Sequence, residues 1–447
     1  MIRLPFSRPV AADPASPLDW RLQAWMLSAL FFNLPFYFLY GGRFWMEWPL
    51  PVYVVILAVV ALFLAVVFFL LPALAVHTSR KPLFETLADS VGSGPAQVVR
   101  ACGVVLLILW ISELLRIQRW ALSQALRQED GSLVFEGLIV CTLGFLCFTG
   151  LQRETTAARL ANFSTKLGLA ILIAGLVRVH VGWPEIPHGF PADKSRPAGM
   201  LIWQGLSVVA LYVAPFGYFA AGWGRRTAGR RQIVAATAWG LALPLFAALL
   251  LVGISNAATH SSPYAEQGMN PNIAMAMWGG AARGAAAGYM MIAGVTGFGA
   301  IRLCFRALAD SASLFSRTRL AQWLMAAMAI AVAAGLSQYL PDDRVTQMRG
   351  AATYVVVVVS AILTGDWILQ RPRAGGSRWL DWVGCAALVA GVTAPWYLPV
   401  LLVGAWDDAW WSRSLLPSYG MALLICVLGR LTERARRGGL RDTRAIE

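Results

Sequence analysis

One carboxylate stands inside a long apolar stretch. In "LILWISELLRIQRW", residues 107–120, Glu113 follows Trp110 by three positions. On a helix the two share a face with Leu114 and Ile117. An ionisable group at membrane depth costs about 2.5–3.5 kcal/mol on insertion scales and points to function. Tryptophan usually belongs at the membrane interface, yet Trp110 falls near the middle of its span. Two roles stay open for Glu113. It can carry a proton or read a substrate, or it can form a buried ion pair with Arg116 at i+3. Arg116 and Arg119 lie nearer the outer end and can snorkel outward.

Two further stretches could build a site from backbone. "FNLPFYF" at 32–38 and "VAPFGYF" at 213–219 each put a proline, then phenylalanine, in the middle of an apolar run. Proline lacks an N–H and its ring clashes with the preceding turn. A broken helix frees carbonyls and half-helix ends, and membrane proteins tolerate this where the backbone lines a cavity. A small-molecule site needs apolar or aromatic faces and a few polar groups. Trp110, Phe36, Tyr37, Phe216 and Tyr218 can supply faces. Asn33, Glu113, Ser207 and Tyr212 can read edges.

Other chemistry finds little support. The six cysteines (Cys102, Cys141, Cys147, Cys304, Cys385, Cys426) lie in apolar stretches without a CxxC pair, and the four histidines form no HxxxH. They read as packing residues, with no metal site. "AWDDAWW" at 405–411 carries Asp407 and Asp408 without a third ligand, in an outer interfacial belt. His260 sits in the polar loop 259–272. An integral membrane enzyme needs clustered His, Asp or Ser at one membrane face. None is present, so the expectation is a non-enzyme without cofactor other than a coupling Na+ or H+.

The elements that position these residues follow from composition. The chain has 447 residues, 58% hydrophobic and 13% charged, with mean hydropathy +0.61. Soluble domains average about 25% charged, so the class is an all-α polytopic membrane protein. At about 20 apolar residues per crossing, twelve spans emerge: 22–44, 51–75, 97–125, 133–151, 163–183, 201–223, 232–256, 284–307, 319–340, 351–370, 380–404 and 413–430. With the N-terminus inside, most of the 37 basic residues fall on inner loops and tails, as the positive-inside rule expects. Residues 1–20 read as a cytoplasmic tail, not a signal peptide. The transporter domain is placed at 21–432, with repeats at 21–183 and 201–370 and extra helices at 380–430. The basic stretch 433–447 reads as a second cytoplasmic, lipid-contacting or flexible tail. The net charge of +14 is spread over short loops facing anionic lipid, so the partners expected are the bilayer and a small molecule, not nucleic acid. Location in the cell's inner membrane follows.

The two proline breaks fall in spans 1 and 6. If spans 1–5 and 6–10 are copies, they run in opposite senses, which is the inverted-repeat plan of many secondary transporters. Small-residue stretches at the start of span 8 and before span 10 ("GAAT") permit close helix packing.

A family resemblance rests on three stretches. "ILTGDWILQR" at 362–371 is similar to the small-Asp-aromatic signature ending the tenth helix of nucleobase–cation symporters, the purine/cytosine permease family. "RWLDWVGCAALVAGV" at 378–392 resembles that family's eleventh helix, and "PLFETLADSVGSGPAQVVR" at 82–100 its helix 2–3 connection. The resemblance covers roughly residues 18–435. It implies the LeuT-type fold, a 5+5 inverted repeat plus two C-terminal helices with helices 1 and 6 broken. It also implies alternating access and cation-coupled uptake of a nucleobase, hydantoin or related heterocycle. Trp110 matches the family's substrate-stacking tryptophan, while Leu114 stands where a polar group is common. Phe216 and Phe219 replace the family's Asp and Arg, and the helix-6 aromatic position falls near Ser207, a turn from Trp203. In "IAGVTGFGAIRL" only Thr296 offers a hydroxyl. Carbonyls at Asn33 and Leu34, with Thr296, form a partial cation set, and Glu113 is the proton-coupling candidate. These departures point to proton coupling, to a divergent paralogue acting as sensor or assembly subunit, or to a different polar solute such as an amino acid.

Overall fold

The computed structural model describes residues 19–33, 36, 50–126, 136–141, 154–182, 198–260, 296–312, 319–369, 379–402 and 415–444. Every regular element among them is helical. In chain order these are α1 (Trp20–Ser28), α2 (Leu50–Ala65), a π turn (Val66–Leu70), α3 (Leu71–Ser79), α4 (Leu83–Val91), α5 (Ser93–Leu126), α6 (Glu154–Gly182) and α7 (Ala198–Ala221). A 3₁₀ turn (Gly222–Arg226), α8 (Arg230–Thr237), a second π turn (Ala238–Ala242) and α9 (Leu243–His260) follow. The chain continues through α10 (Phe298–Ala312), α11 (Arg319–Tyr339), α12 (Asp342–Ile368), α13 (Trp382–Leu402) and α14 (Leu415–Arg444). Span 4 and parts of spans 1 and 8 lie largely outside the described residues.

Six described helices are long and apolar enough to cross a membrane. The helix Pro51–Ser79 shows why. Val55, Val59 and Leu62 form an exposed stripe at i, i+4, i+7, while Leu57, Val60, Ala61 and Leu64 are buried opposite. Such a helix faces apolar solvent on one side and protein on the other, so the chain is a multi-pass membrane protein.

The packing repeats itself. α1 of span 1 packs on α6 of span 5, and α7 of span 6 packs on α12 of span 10. α1 also crosses the π turn of span 7, while α7 crosses the π turn of span 2. α6 meets α9, and α12 meets α3. Each pair maps onto its partner when spans 1–5 and 6–10 are exchanged. Both crossings are made close by glycine. A Cβ at Gly240 would stand 2.5 Å from the Ala24 Cα, and one at Gly217 would stand 2.7 Å from the Phe68 carbonyl oxygen.

One expectation is corrected. Span 6 is not interrupted at Pro215: α7 runs through it and tightens to 3₁₀ only at Gly222. Proline removes one hydrogen bond, yet here the turn is braced by the Phe68 backbone against Gly217 on one side and by packed rings on the other. The C-terminal stretch is also helical, out to Arg444. Its first part, "LTERARR", is rich in helix formers, and Arg430 just before it is buried.

Candidate functional site

The break in span 1 is real, and Asn33 makes it. α1 ends at Ser28, the chain turns through Ala29–Phe31 and bends at Phe32 and Asn33. The Asn33 side-chain nitrogen donates to the carbonyls of Ala29 (3.0 Å) and Leu30 (2.7 Å). Its Oδ1 accepts from the Phe36 backbone N–H at 2.8 Å. One amide therefore closes the end of α1 and holds the Phe36 backbone N–H. Tyr212 of α7 adds a fourth bond, donating its hydroxyl to the Leu30 carbonyl at 2.7 Å. Asn33→Ala orphans the buried Ala29 carbonyl and Phe36 amide, an expected loss of about 2 kcal/mol. An unchanged thermal-unfolding midpoint would show that the break is held elsewhere.

Beside the break lies a buried aromatic cluster. Trp110 of α5 meets Tyr212 edge-on at 5.0 Å between ring centroids and Phe216 at 5.4 Å. Tyr212 and Phe216, one turn apart on α7, are 4.7 Å apart. Phe36 reaches Tyr212 at 5.2 Å and Phe31 at 5.4 Å. Four of the sequence-predicted residues, Phe36, Trp110, Tyr212 and Phe216, thus come together from spans 1, 3 and 6.

The remaining predicted residues divide. Glu113 is 1% exposed and pairs with Arg116, Nη2 to Oε1 at 2.8 Å. This is the ion-pair role left open by the sequence. A second cation joins it from α12: the Arg349 guanidinium lies 4.4 Å from the Trp110 ring centroid, and its Nη1 is 3.5 Å from Glu113 Oε1. Ser207 donates within its own helix to the Trp203 carbonyl at 2.7 Å, and Asn33 has both amide hydrogens engaged, so neither offers a spare donor. Tyr218 sits two residues beyond Phe216, about 200° around the helix, and its ring packs on Phe219 instead of the Trp110 cluster. Thr296 is buried where α6 and the start of α10 approach α1: Ser164 donates to its carbonyl at 3.2 Å, and Gly299 faces Ser164 and Ala29. Leu34 and Tyr37 lie outside the described residues.

Arg349 is the site residue that sequence reading missed, because it precedes the apolar window of span 10. The signal was present in spacing. Val345, Arg349, Thr353, Val357 and Ser360 form the buried line of α12 at three- and four-residue steps. Three polar atoms in this group are buried and make no hydrogen bond: Trp110 Nε1, Glu113 Oε2 and Arg349 Nη1. They are two donors and one acceptor, gathered around one indole.

No known protein-family profile matches the chain. No curated protein matches it either. Solved structures do. Mhp1, a nucleobase–cation-symport-1 family transporter in a closed conformation with bromovinylhydantoin bound, is similar at 14% identity with a TM-score of 0.65, covering 95% of this chain and 94% of its own. The substrate-bound outward-open state of a Na+-coupled sialic acid symporter is similar at 11% identity and TM-score 0.61, covering 92% and 89%. A mutant of the Eremococcus coleocola manganese transporter is similar at 10% identity and TM-score 0.55, covering 94% and 95%. The shared feature is the fold, which is of the LeuT type.

Proposed function

We propose that this chain is a secondary active transporter that moves a small, nucleobase-like heterocycle by alternating access, coupled to a cation. The observation that carries the reading is the Trp110 cluster, buried against the helix-1 break with unmet hydrogen-bonding atoms around it. That combination of apolar faces and a few convergent polar groups suits a small planar ligand. The solved structures of similar fold include symporters for a hydantoin-binding and a sialic acid system, which supports transport as the class. For the coupling cation the reading keeps the Asn33 carbonyl and Thr296, near the junction of α1, α6 and α10, together with the Leu34 carbonyl, which lies outside the described residues. Glu113 remains the proton-coupling alternative.

A second reading has its own support. The rings of Trp110, Tyr212 and Phe216 touch directly, and a guanidinium already covers the indole. A sensor or assembly subunit that no longer transports would keep such a filled centre.

Thermal stabilisation of the purified protein by nucleobases, hydantoins and allantoin, with sodium or at varied pH, tests both. A ligand that binds only the folded state raises the midpoint. The transporter reading expects a stabilising heterocycle whose effect collapses in Trp110→Ala. Sodium-dependent stabilisation places the coupling at the Thr296 junction, and dependence on pH alone places it at Glu113. Silence across the panel favours the non-transporting subunit.

A further inference from the structure

Arg349 carries more information than its neighbours. Its side chain is 8% exposed, so a full charge is held out of water. Among the described residues the only carboxylate within its reach is Glu113, and the same Oε1 is already held by Arg116 at 2.8 Å. The Arg349 contact is longer, 3.5 Å, and Nη1 forms no hydrogen bond. A buried guanidinium with an unmade bond is costly unless something completes it. Stacking on the indole face offsets only part of that cost.

The geometry points to a planar anionic heterocycle as the substrate of the proposed site, with its negative oxygens on Arg349 and a ring N–H on Glu113. This rests on the transporter reading and adds the substrate's charge to it. The assignment follows from donor and acceptor types. Arginine and the indole N–H only donate, and an ionised glutamate only accepts. Arg349 Nη1 and Trp110 Nε1 therefore ask for acceptor oxygens, and Glu113 Oε2 asks for a donor. An uncharged ring amide can be read by an asparagine or glutamine. A guanidinium fork matches a carboxylate or delocalised oxyanion, and its bonds to charge are the stronger ones. The plane of the guanidinium over Trp110 also marks the place of the ring. On binding, the heterocycle takes the indole face, and Arg349 shifts from that face to the ligand's anionic edge. Tyr212 and Phe216 pack against the same indole, so a flat ring asks for the least displacement of them.

The test pairs each neutral ring with its acid: uracil against uracil-6-carboxylate, and hydantoin against hydantoin-5-acetate, in thermal-shift and direct-binding titrations of the full-length protein. The acids are expected to bind at least about tenfold tighter, the least that a hydrogen bond to charge contributes. Arg349→Gln is expected to abolish that preference, and Arg349→Lys to keep part of it, because lysine supplies charge without the fork. If Arg349→Gln fails to fold, the wild-type comparison and Arg349→Lys still decide. Neutral rings binding as well as the acids, or an acid preference that survives Arg349→Gln, overturns the anionic assignment and leaves the transporter reading standing. Binding of neither member of any pair overturns both.

Discussion

Arg430→Met is expected to lower the stability of the protein by about 3–5 kcal/mol, the range for removing one partner of a buried ion pair. Arg430 is 2% exposed in the middle of α14. Its Nε bonds Asp366 Oδ1 of α12 at 3.0 Å, its Nη1 bonds Asp381 Oδ1 ahead of α13 at 2.8 Å, and its Nη2 donates to the Ser90 carbonyl at 2.8 Å. Glu433 approaches Nη1 at 3.3 Å from the partly exposed side. Methionine fills the volume but leaves two buried carboxylates and a carbonyl without their donor. The Asp381 oxygen also caps α13 by accepting from the Gly384 N–H at 3.0 Å, so the start of that helix loosens with it. Thermal unfolding in detergent measures the effect, with Arg434→Met as control. Arg434 is exposed on the same helix and its removal is expected to stay within about 0.5 kcal/mol. Neutralising the acids together with the arginine (Arg430→Met, Asp366→Asn, Asp381→Asn) is expected to recover a large part of the loss. Equal midpoints for Arg430→Met and Arg434→Met would refute the account.

The second large effect is expected at Gly168. This residue lies on α6 with the Phe32 carbonyl directly over its Cα, so that a Cβ would fall on the carbonyl oxygen and stand 2.7 Å from the carbonyl carbon. Phe32 immediately precedes Asn33. The obstacle is backbone, not the end of a flexible side chain, and it cannot move without pulling Asn33 from the bonds that close the helix-1 break. Gly168→Val is therefore expected to cost about 3 kcal/mol, the upper part of the overpacking range, and to abolish any ligand-dependent stabilisation. Gly335→Ala on α11 is the matched control. Nothing lies within 4 Å of its added Cβ, so the expected change is neutral or a gain of up to about 1 kcal/mol from helix propensity. A Gly168→Val protein that unfolds and binds like wild type would show that the break does not need this contact.

Much of the architecture was legible because bilayer thickness and charge asymmetry act on whole segments. Most of the described helices overlap the apolar windows, and the end of the first helix within span 1 showed in its residues. What escaped depended on neighbours. Pro215 looked like the twin of Pro35, but whether a proline breaks a helix is settled by what braces the turn, and no local pattern reports Phe68 against Gly217. Counting basic residues by loop could not report that Arg349 and Arg430 are buried partners of acidic side chains. The three stretches that carried the family resemblance were read separately. Asp366, Asp381 and Ser90, one from each, meet around Arg430. At the site itself, Trp110 and its aromatic neighbours were legible from spacing, whereas the use of Asn33 and Ser207 on their own backbone was not.

The two π turns have a mechanical consequence. Where α1 passes the turn at Ala238–Ala242 and α7 passes the turn at Val66–Leu70, main chain rests on main chain across a glycine. A joint of interlocked side chains must lift each knob out of its hole before it can turn. A glycine-on-carbonyl joint has no knobs and no rotamers to release, so it works as a plain bearing. Among the described residues these two are related by the exchange of the halves, and Gly224 against the Ala73 carbonyl adds a further one between the five-helix units. Resistance to any sliding of one unit on the other then falls on the side-chain contacts, such as the ring cluster and the packing of α11 on α5.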